Sequence, residues 1–357
     1  MKLAGLGLLG AALGGGLFAG ARAQAGNRYY SGPVSDHFDG RVFFNPGGTP
    51  PASFADLMRW QFGGGRAAWP DRFDSPFPAA KPEPRVDDLR VTMVGHATML
   101  LQTASTNILF DPVWSDRASP VSFAGPHRVN GPGIAFDDLP PIDLVLVSHN
   151  HYDHLDTATL ARLKAAHDPL VVTPLGNDAI IAAAVPGMRT VAADWGETVE
   201  AGPLRVHFEP VHHWSARGTG DRRMALWAGF VVEGPAGRVY HVGDTGFFGG
   251  RNYRAVAERH GAVRLAILPF GAYEPRWFME PQHQNPEEAV EGMELCGAAH
   301  VAGHHWGTFR LTDEAIGEPR DRLHAALDAR GIARDRFRPM LPGEVWDVPR
   351  AGTAPLL

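Results

Sequence analysis

The segment VSHNHYDHLD (147–156) holds three histidines and two aspartates in ten positions, directly after an apolar run. Imidazole nitrogens and carboxylate oxygens are ligands for divalent cations, so residues of these types at this density point to a metal site. His149 and His151 are two apart, and an extended backbone points both side chains the same way. Asp153 and His154 follow as the chain turns toward the next helix. One ion rarely takes four ligands from so short a span. Two neighbouring ions sharing them, with other loops completing each shell, fit the pattern better.

Further donors lie downstream. His212 and His213 close the stretch LRVHFEPVHH (204–213), and His304 and His305 close HVAGHH (300–305). Asp244 sits in GDTG (243–246), between glycines that let the backbone turn tightly. Spacing alone does not choose between the two histidines of either pair. Cys296 is the only cysteine, so neither an intrachain disulfide nor a zinc site of several thiolates can form. Histidine and aspartate without thiolate suit a catalytic zinc pair. His37, His127, His207, His260 and His324 stand apart from these clusters and read as ordinary core or surface histidines.

Positioning these residues requires strand ends. RVTMVGHATMLLQT (90–103) and NILFDPV (107–113) read as paired strands. IDLVLVS (142–148) is a buried strand, and TATLARLKAAH (157–167) has helical spacing. LVVTPL (170–175), 204–213, 225–234, 238–246 and LAILPFG (265–271) read as further strands. Asn285 can cap a helix with Pro286 in its first position, and Pro319 opens another that Gly331 ends. A short helix is expected over Ser53 to Trp60. Each donor group then falls at a strand C-terminus, and one edge of the sheets could gather them all. Sheets inside and helices outside follow for one packed domain, an α+β architecture.

The chain has 357 residues, is 44% hydrophobic and carries a formal charge of −6. It is long enough for a large core, and its acidic balance argues against nucleic acid as a partner. Residues 1–25 combine an early Lys2, an apolar stretch and small residues at 21, 23 and 25, the pattern of a secretory signal. Export, as into a periplasm, is the expectation, with a cytoplasmic chain or an uncleaved N-terminal anchor as alternatives. Residues 26–84 form a loop-rich arm dense in Gly, Pro and aromatics, expected to pack on a main domain spanning 85–350. The sequence sets no oligomeric state.

SHNHYDHLD resembles the central motif of the metallo-β-lactamase superfamily. GHAT (95–98), ILFDPVWSDRASP (108–120), LPPIDLVLVSHNHYDHLD (139–156), HHW (212–214), GDTG (243–246), FGAYEPRWFM (270–279), QHQNPEEAV (282–290) and HWGTF (305–309) occur in that order and together resemble the N-acylphosphatidylethanolamine-hydrolysing phospholipase D family. The resemblance implies an αββα sandwich of two mixed sheets with helices outside. It also implies two Zn2+ ions: His149, His151 and His213 on one, Asp153, His154 and His305 on the other, and Asp244 bridging. Within each pair it selects the histidine before tryptophan. The implied activity is hydrolysis of a phosphodiester by a hydroxide held between the zincs, releasing a phosphomonoester and an alcohol. Asp153 and His283 are the residues assigned to catalysis, His283 as the acid for the leaving alcohol. His96 and Asp111 are expected to orient ligands. Tyr273 and Arg276 are expected to shape the substrate channel, with Arg276 either a phosphate contact or half of an ion pair with a loop carboxylate. The expected partner is a phospholipid or other phosphodiester, met through peripheral membrane contact. A lactone or soluble-phosphodiester hydrolase on the same scaffold is one alternative. A non-catalytic, exported metal- or lipid-binding protein is the other.

Overall fold

The computed structural model of the protein describes residues 26–350; the signal expected over 1–25 lies outside them. Among the described residues, β1 (Arg90–Gly95), β2 (Thr98–Thr103), β3 (Thr106–Phe110), β4 (Leu144–Leu146), β5 (Leu170–Pro174) and β6 (Thr190–Ala193) make one sheet. The second contains β7 (Thr198–Ala201), β8 (Leu204–Glu209), β9 (Gly229–Gly234), β10 (Gly237–His241), β11 (Leu265–Pro269), β12 (His300–His304) and β13 (Phe337–Pro339), while β14 (Val345–Asp347) returns to the first. The orders are β14-β1-β2-β3-β4-β5-β6 and β13-β12-β11-β10-β9-β8-β7. Strands β3 to β6 run parallel, as do β10 to β13, and the other pairs are antiparallel. Both sheets are therefore mixed.

Three apolar cores define the layers. Met99 and Leu101 of β2, with Ile108 and Phe110 of β3, meet Phe208, Phe230 and Ile267 of the other sheet in the central core. Leu100 and Leu109, one position out of phase on the same strands, face the opposite way, as the strand period of two requires. They pack under α2 (Thr157–Ala166) and α3 (Asn177–Ala184) through Leu160, Leu163 and Ile181. On the far side, Val231, Tyr240 and Leu268 pack beneath α4 (Arg251–His260), α6 (Pro286–Leu295) and α7 (Glu318–Ala329). Sheets buried on both faces explain why their strands read as continuous apolar runs rather than alternating ones. The architecture is the expected αββα sandwich.

Several boundaries differ from the sequence expectation. The stretch 90–103 is a hairpin that turns at His96 and Ala97. The strand beginning at Leu204 stops at Glu209, because Pro210 has no N–H to give the ladder. His212 and His213 thus lie on a loop beyond the strand, and 225–228 is irregular as well. α1 (Phe54–Gly63) is capped by Ser53 and Asp56 and runs past Trp60, and α5 (Arg276–Met279) is a single turn. α6 starts as expected, with Asn285 and Glu288 exchanging capping bonds. The segment before β1 lies on the domain surface: Asn27 donates to the Met224 carbonyl, Tyr29 to Asp221, and Trp60 to Asp313.

Candidate metal centre

The strand C-termini of both sheets meet at one edge. The β1–β2 turn brings His96 there, the end of β3 brings Asp111, and the end of β4 brings 149–154. Asp244 follows β10, His305 follows β12, and His213 lies four residues past β8. Three of these non-glycine residues hold left-handed backbone: His96 (φ +53°), Asp111 (φ +42°) and His305 (φ +68°). Such conformations are costly for residues bearing a Cβ and persist where tertiary contacts fix them. Here the contacts are explicit. His305 N–H donates to the His96 carbonyl, and His96 N–H donates to Thr308 Oγ1. These two bonds join the sheets at the edge.

The donor atoms form two groups around one carboxylate. His149 Nε2 lies 2.9 Å from His151 Nδ1, which lies 3.3 Å from His213 Nε2. On the other side, Asp153 Oδ2 lies 3.4 Å from His305 Nε2, 3.7 Å from His154 Nε2 and 3.0 Å from His96 Nε2. Asp244 Oδ2 stands between them, 3.0 Å from His305, 3.2 Å from His154, 3.8 Å from His213 and 4.0 Å from His149. Within the first trio, and within the second together with His96, all donor atoms fall inside 4.8 Å of one another. Of the paired histidines, His213 and His305 enter the cluster. His212 instead stacks on Phe248. His304 lies buried beside His241.

Neighbouring groups fix the rings. Asp111 accepts from Ser148 N, from Ser148 Oγ and from His154 Nδ1, leaving His154 Nε2 aimed at the centre. Asp111 therefore fixes the His154 ring. His213 Nδ1 donates to the Gln282 carbonyl. Arg217 donates to the carbonyls of Asn150 and Leu155, closing off the 149–155 turn, and its guanidinium lies over Tyr152. Sequence reasoning missed Arg217: a lone arginine in an irregular loop gives no signal of its own.

The donor chemistry fits metal ions. His154 Nε2, His305 Nε2, Asp244 Oδ1 and His283 Nδ1 are buried without a hydrogen-bond partner. His305 Nε2 is within 3.0 Å of Asp244 Oδ2, yet the approach is not that of a hydrogen bond. Buried polar atoms are normally paired, so unpaired atoms converging on one space are what cation ligands look like. The charges agree. Burial raises the Asp153 pKa, but the charge of His154, with contacts from His305 and His96, holds the carboxyl well below its usual range. Asp244 is held low likewise, by His305 and His154 against burial. Burial lowers the His305 pKa, and Asp244 outweighs it, bringing the ring to about 9. His149 and His213 are pushed down, by burial above all. Two buried carboxylates thus call for positive charge among rings that are mostly neutral, the form that binds metal.

The remaining expected residues divide. His283 lies at the centre, its Nδ1 4.0 Å from Asp244 Oδ2, and burial pushes its pKa down to about 3. Asp153 and His283 keep 13% and 12% side-chain exposure and His151 is partly exposed, while histidines 149, 154, 213 and 305 keep at most 1%, so the cluster opens on the side of the first three. Arg276 is paired through two bonds with Glu288 and donates to the His283 carbonyl. Of its two readings the structure shows the ion pair, formed with a helix carboxylate rather than a loop one. Tyr273 corrects the channel reading: it is fully buried, and its hydroxyl donates to Glu318. The phenol packs inside the domain because that carboxylate satisfies it there.

Comparison with known proteins shows the family of the chain. A family model described as "Beta-lactamase superfamily domain" matches residues 106–306. The chain is 40% identical over 273 residues to the N-acyl-phosphatidylethanolamine-hydrolyzing phospholipase D 1 of Caenorhabditis elegans, covering 72% of this chain and 76% of that one. It is 34% identical to the mitochondrial enzyme of the same name from Saccharomyces cerevisiae, covering 64% of this chain and 49% of the yeast protein. The solved structure of Igni18, a metallo hydrolase from the archaeon Ignicoccus hospitalis, superposes with a TM-score of 0.53 at 20% identity, over 72% of this chain and 97% of the other. The chain belongs to the β-lactamase superfamily, in the family of N-acylphosphatidylethanolamine-hydrolysing phospholipases D, and is a metallo-hydrolase.

Proposed function

We propose that this family member is a two-zinc phosphodiesterase that cleaves N-acylphosphatidylethanolamine-like phospholipids on the alcohol side of phosphorus. The observation that carries the reading is the place of Asp244 Oδ2, within 3.0–4.0 Å of histidines from both donor groups. His149, His151 and His213 would hold one ion, Asp153, His154 and His305 the other, and Asp244 both. Bound there, the ions would supply a water acidified toward neutrality and positive charge for the phosphate oxygens.

The chain's own groups do the rest. Asp111 and the Gln282 carbonyl hold His154 and His213 in the tautomers that present Nε2. His283, at the mouth, is the group placed to move a proton. Because burial keeps its imidazole neutral, it must take a proton up before giving one to the leaving oxygen. Arg276 anchors the His283 carbonyl and through it the ring position. Access for a lipid is supported by exposed aromatics on the flank bearing α5: Phe54 (61% exposed) and Phe62 (77%) of α1, and Trp277 (48%), against which Arg59 packs. Aromatic side chains at a surface suit the membrane interface.

Purified protein is expected to hold two zinc ions per chain by elemental analysis, and one or none defeats the two-metal reading. A panel of N-acylated phospholipids, ordinary phospholipids, soluble phosphodiesters and lactones tests the substrate. Preference for a lactone or a soluble ester overturns it.

A further inference from the structure

His213 lies near the head of a long irregular loop. β8 ends at Glu209, and residues 210–228 run without regular structure to β9. Its ring is fixed by the Gln282 carbonyl, but the ring can hold its place only if the backbone does. One side of that loop is tied to the Asp244 turn, where His212 N–H donates to Thr245 Oγ1 and Gly246 N–H to the His212 carbonyl. The other side is held from the N-terminal arm. Asn45 Nδ2 donates to the His213 carbonyl at 2.8 Å, while Asn45 Oδ1 accepts from Trp227 Nε1, a side chain 1% exposed, at 3.2 Å.

The arm reaches this position through a local turn. Residues 45–48 read NPGG. Proline fixes the second position, and Gly47 takes φ +67°, the conformation a type II turn requires there. Gly48 N–H donates to the Asn45 carbonyl and closes the turn. Gly48 then lies against His212 so closely that a Cβ on it would come within 2.1 Å of the His212 ring. His212 is thereby held between this turn and Phe248.

We infer that the 45–48 turn is a positioning element of the metal centre, with Asn45 the residue that holds His213 in place through its carbonyl. The arm, which lies before the segment matched by the superfamily model, is then a working part of the site rather than a cover on it. The inference rests on His213 being a ligand.

Two variants of the full chain test it. Asn45→Ala removes both bonds. Asn45→Asp keeps an acceptor for Trp227 and turns an oxygen toward the His213 carbonyl in place of the donor. Zinc affinity is measured on metal-free protein by competition with a chromophoric chelator, and backbone hydrogen exchange is followed over 210–216 in the same metal-free protein. Both variants are expected to weaken one of the two ions by about ten- to a hundredfold and leave the other within about threefold. Exchange over 210–216 is expected to rise while the strands stay protected. A lowered melting temperature with both zinc affinities unchanged would make Asn45 merely structural and overturn the inference, as would unchanged exchange. If the parent chain itself bound fewer than two ions, the two-zinc reading would fall, and the exchange comparison would still decide whether the arm holds this loop.

Discussion

The two halves of the metal centre are built in different ways. The first sheet delivers His149, His151, Asp153 and His154 from one turn after β4. That turn is braced by a buried carboxylate, Asp111, and a mostly buried guanidinium, Arg217. The second sheet delivers His213, Asp244 and His305 from three separate loops. Each is held by a bond from elsewhere in the chain: Asn45 for His213, the Thr245 contacts for the Asp244 turn, and the His96 carbonyl for His305. The compact half gathers four donors in one turn under two shared braces. The dispersed half needs a separate contact for each donor, so its failures should arise at more places in the chain.

The largest effect tests where the halves meet. Asp244→Asn keeps the shape and removes the charge both groups face. Activity is expected to fall by about 10²–10³-fold, the scale on which loss of one group aimed at developing charge acts. Folding by circular dichroism should be retained, and near-normal turnover would sever the link between the halves. Asp111→Ala strikes the compact half. Freeing His154 is expected to weaken one ion by about ten- to a hundredfold, read by chelator competition. Unchanged affinity for both ions would show that the turn holds His154 without this brace.

His283→Asn separates chemistry from assembly. Turnover of a phospholipid is expected to drop by about 10²-fold, and a nitrophenyl phosphodiester, whose leaving group needs no proton, should lose far less. Equal loss on both substrates would return His283 to a structural role. Arg217→Met removes the two carbonyl contacts of the 149–155 turn and is expected to cost about 1–3 kcal/mol in denaturant unfolding.

The smallest expected effect lies outside the centre, at His37 in the arm. Burial opposes its charge, but Asp194 and Asp36, hydrogen-bonded at 2.7 and 2.6 Å, prevail and raise its pKa. A histidine with a raised folded pKa contributes stability that is full below its unfolded value near 6.5 and is lost as pH rises through the folded value. His37→Gln should therefore be less stable than the parent at pH 5.5, by up to about 1 kcal/mol, and nearly equal to it at pH 9. A gap that widens with rising pH would refute the pairing.

Much of the compact half was legible in the sequence. His149, His151, Asp153 and His154 are near neighbours in the chain, and an apolar run before them marks a strand end whatever the rest of the fold does. That sheets lie inside and helices outside was legible too, from buried strands interrupted by helices, while the αββα order was implied by the family resemblance. Strand limits were less so. Pro210 explains in hindsight why His213 lies on a loop, but the periodicity of 204–209 ran on without a visible break. Tyr273 and Arg276 were misplaced or left open because only their partners, Glu318 and Glu288, decide which way they face.

By itself, the sequence determined the donor types, the absence of any thiolate set, and the grouping of four donors in one turn, because local chemistry and a period of two are written in adjacent residues. Which histidine of each pair enters the centre was settled for this chain by backbone path: His212 is pressed against Phe248, and His304 points into the core beside His241. The hold of Asn45 on His213 spans 168 residues, and that of Arg217 on Asn150 spans 67. Such contacts form only when packing of the two sheets closes the intervening chain, so tertiary structure alone could decide them.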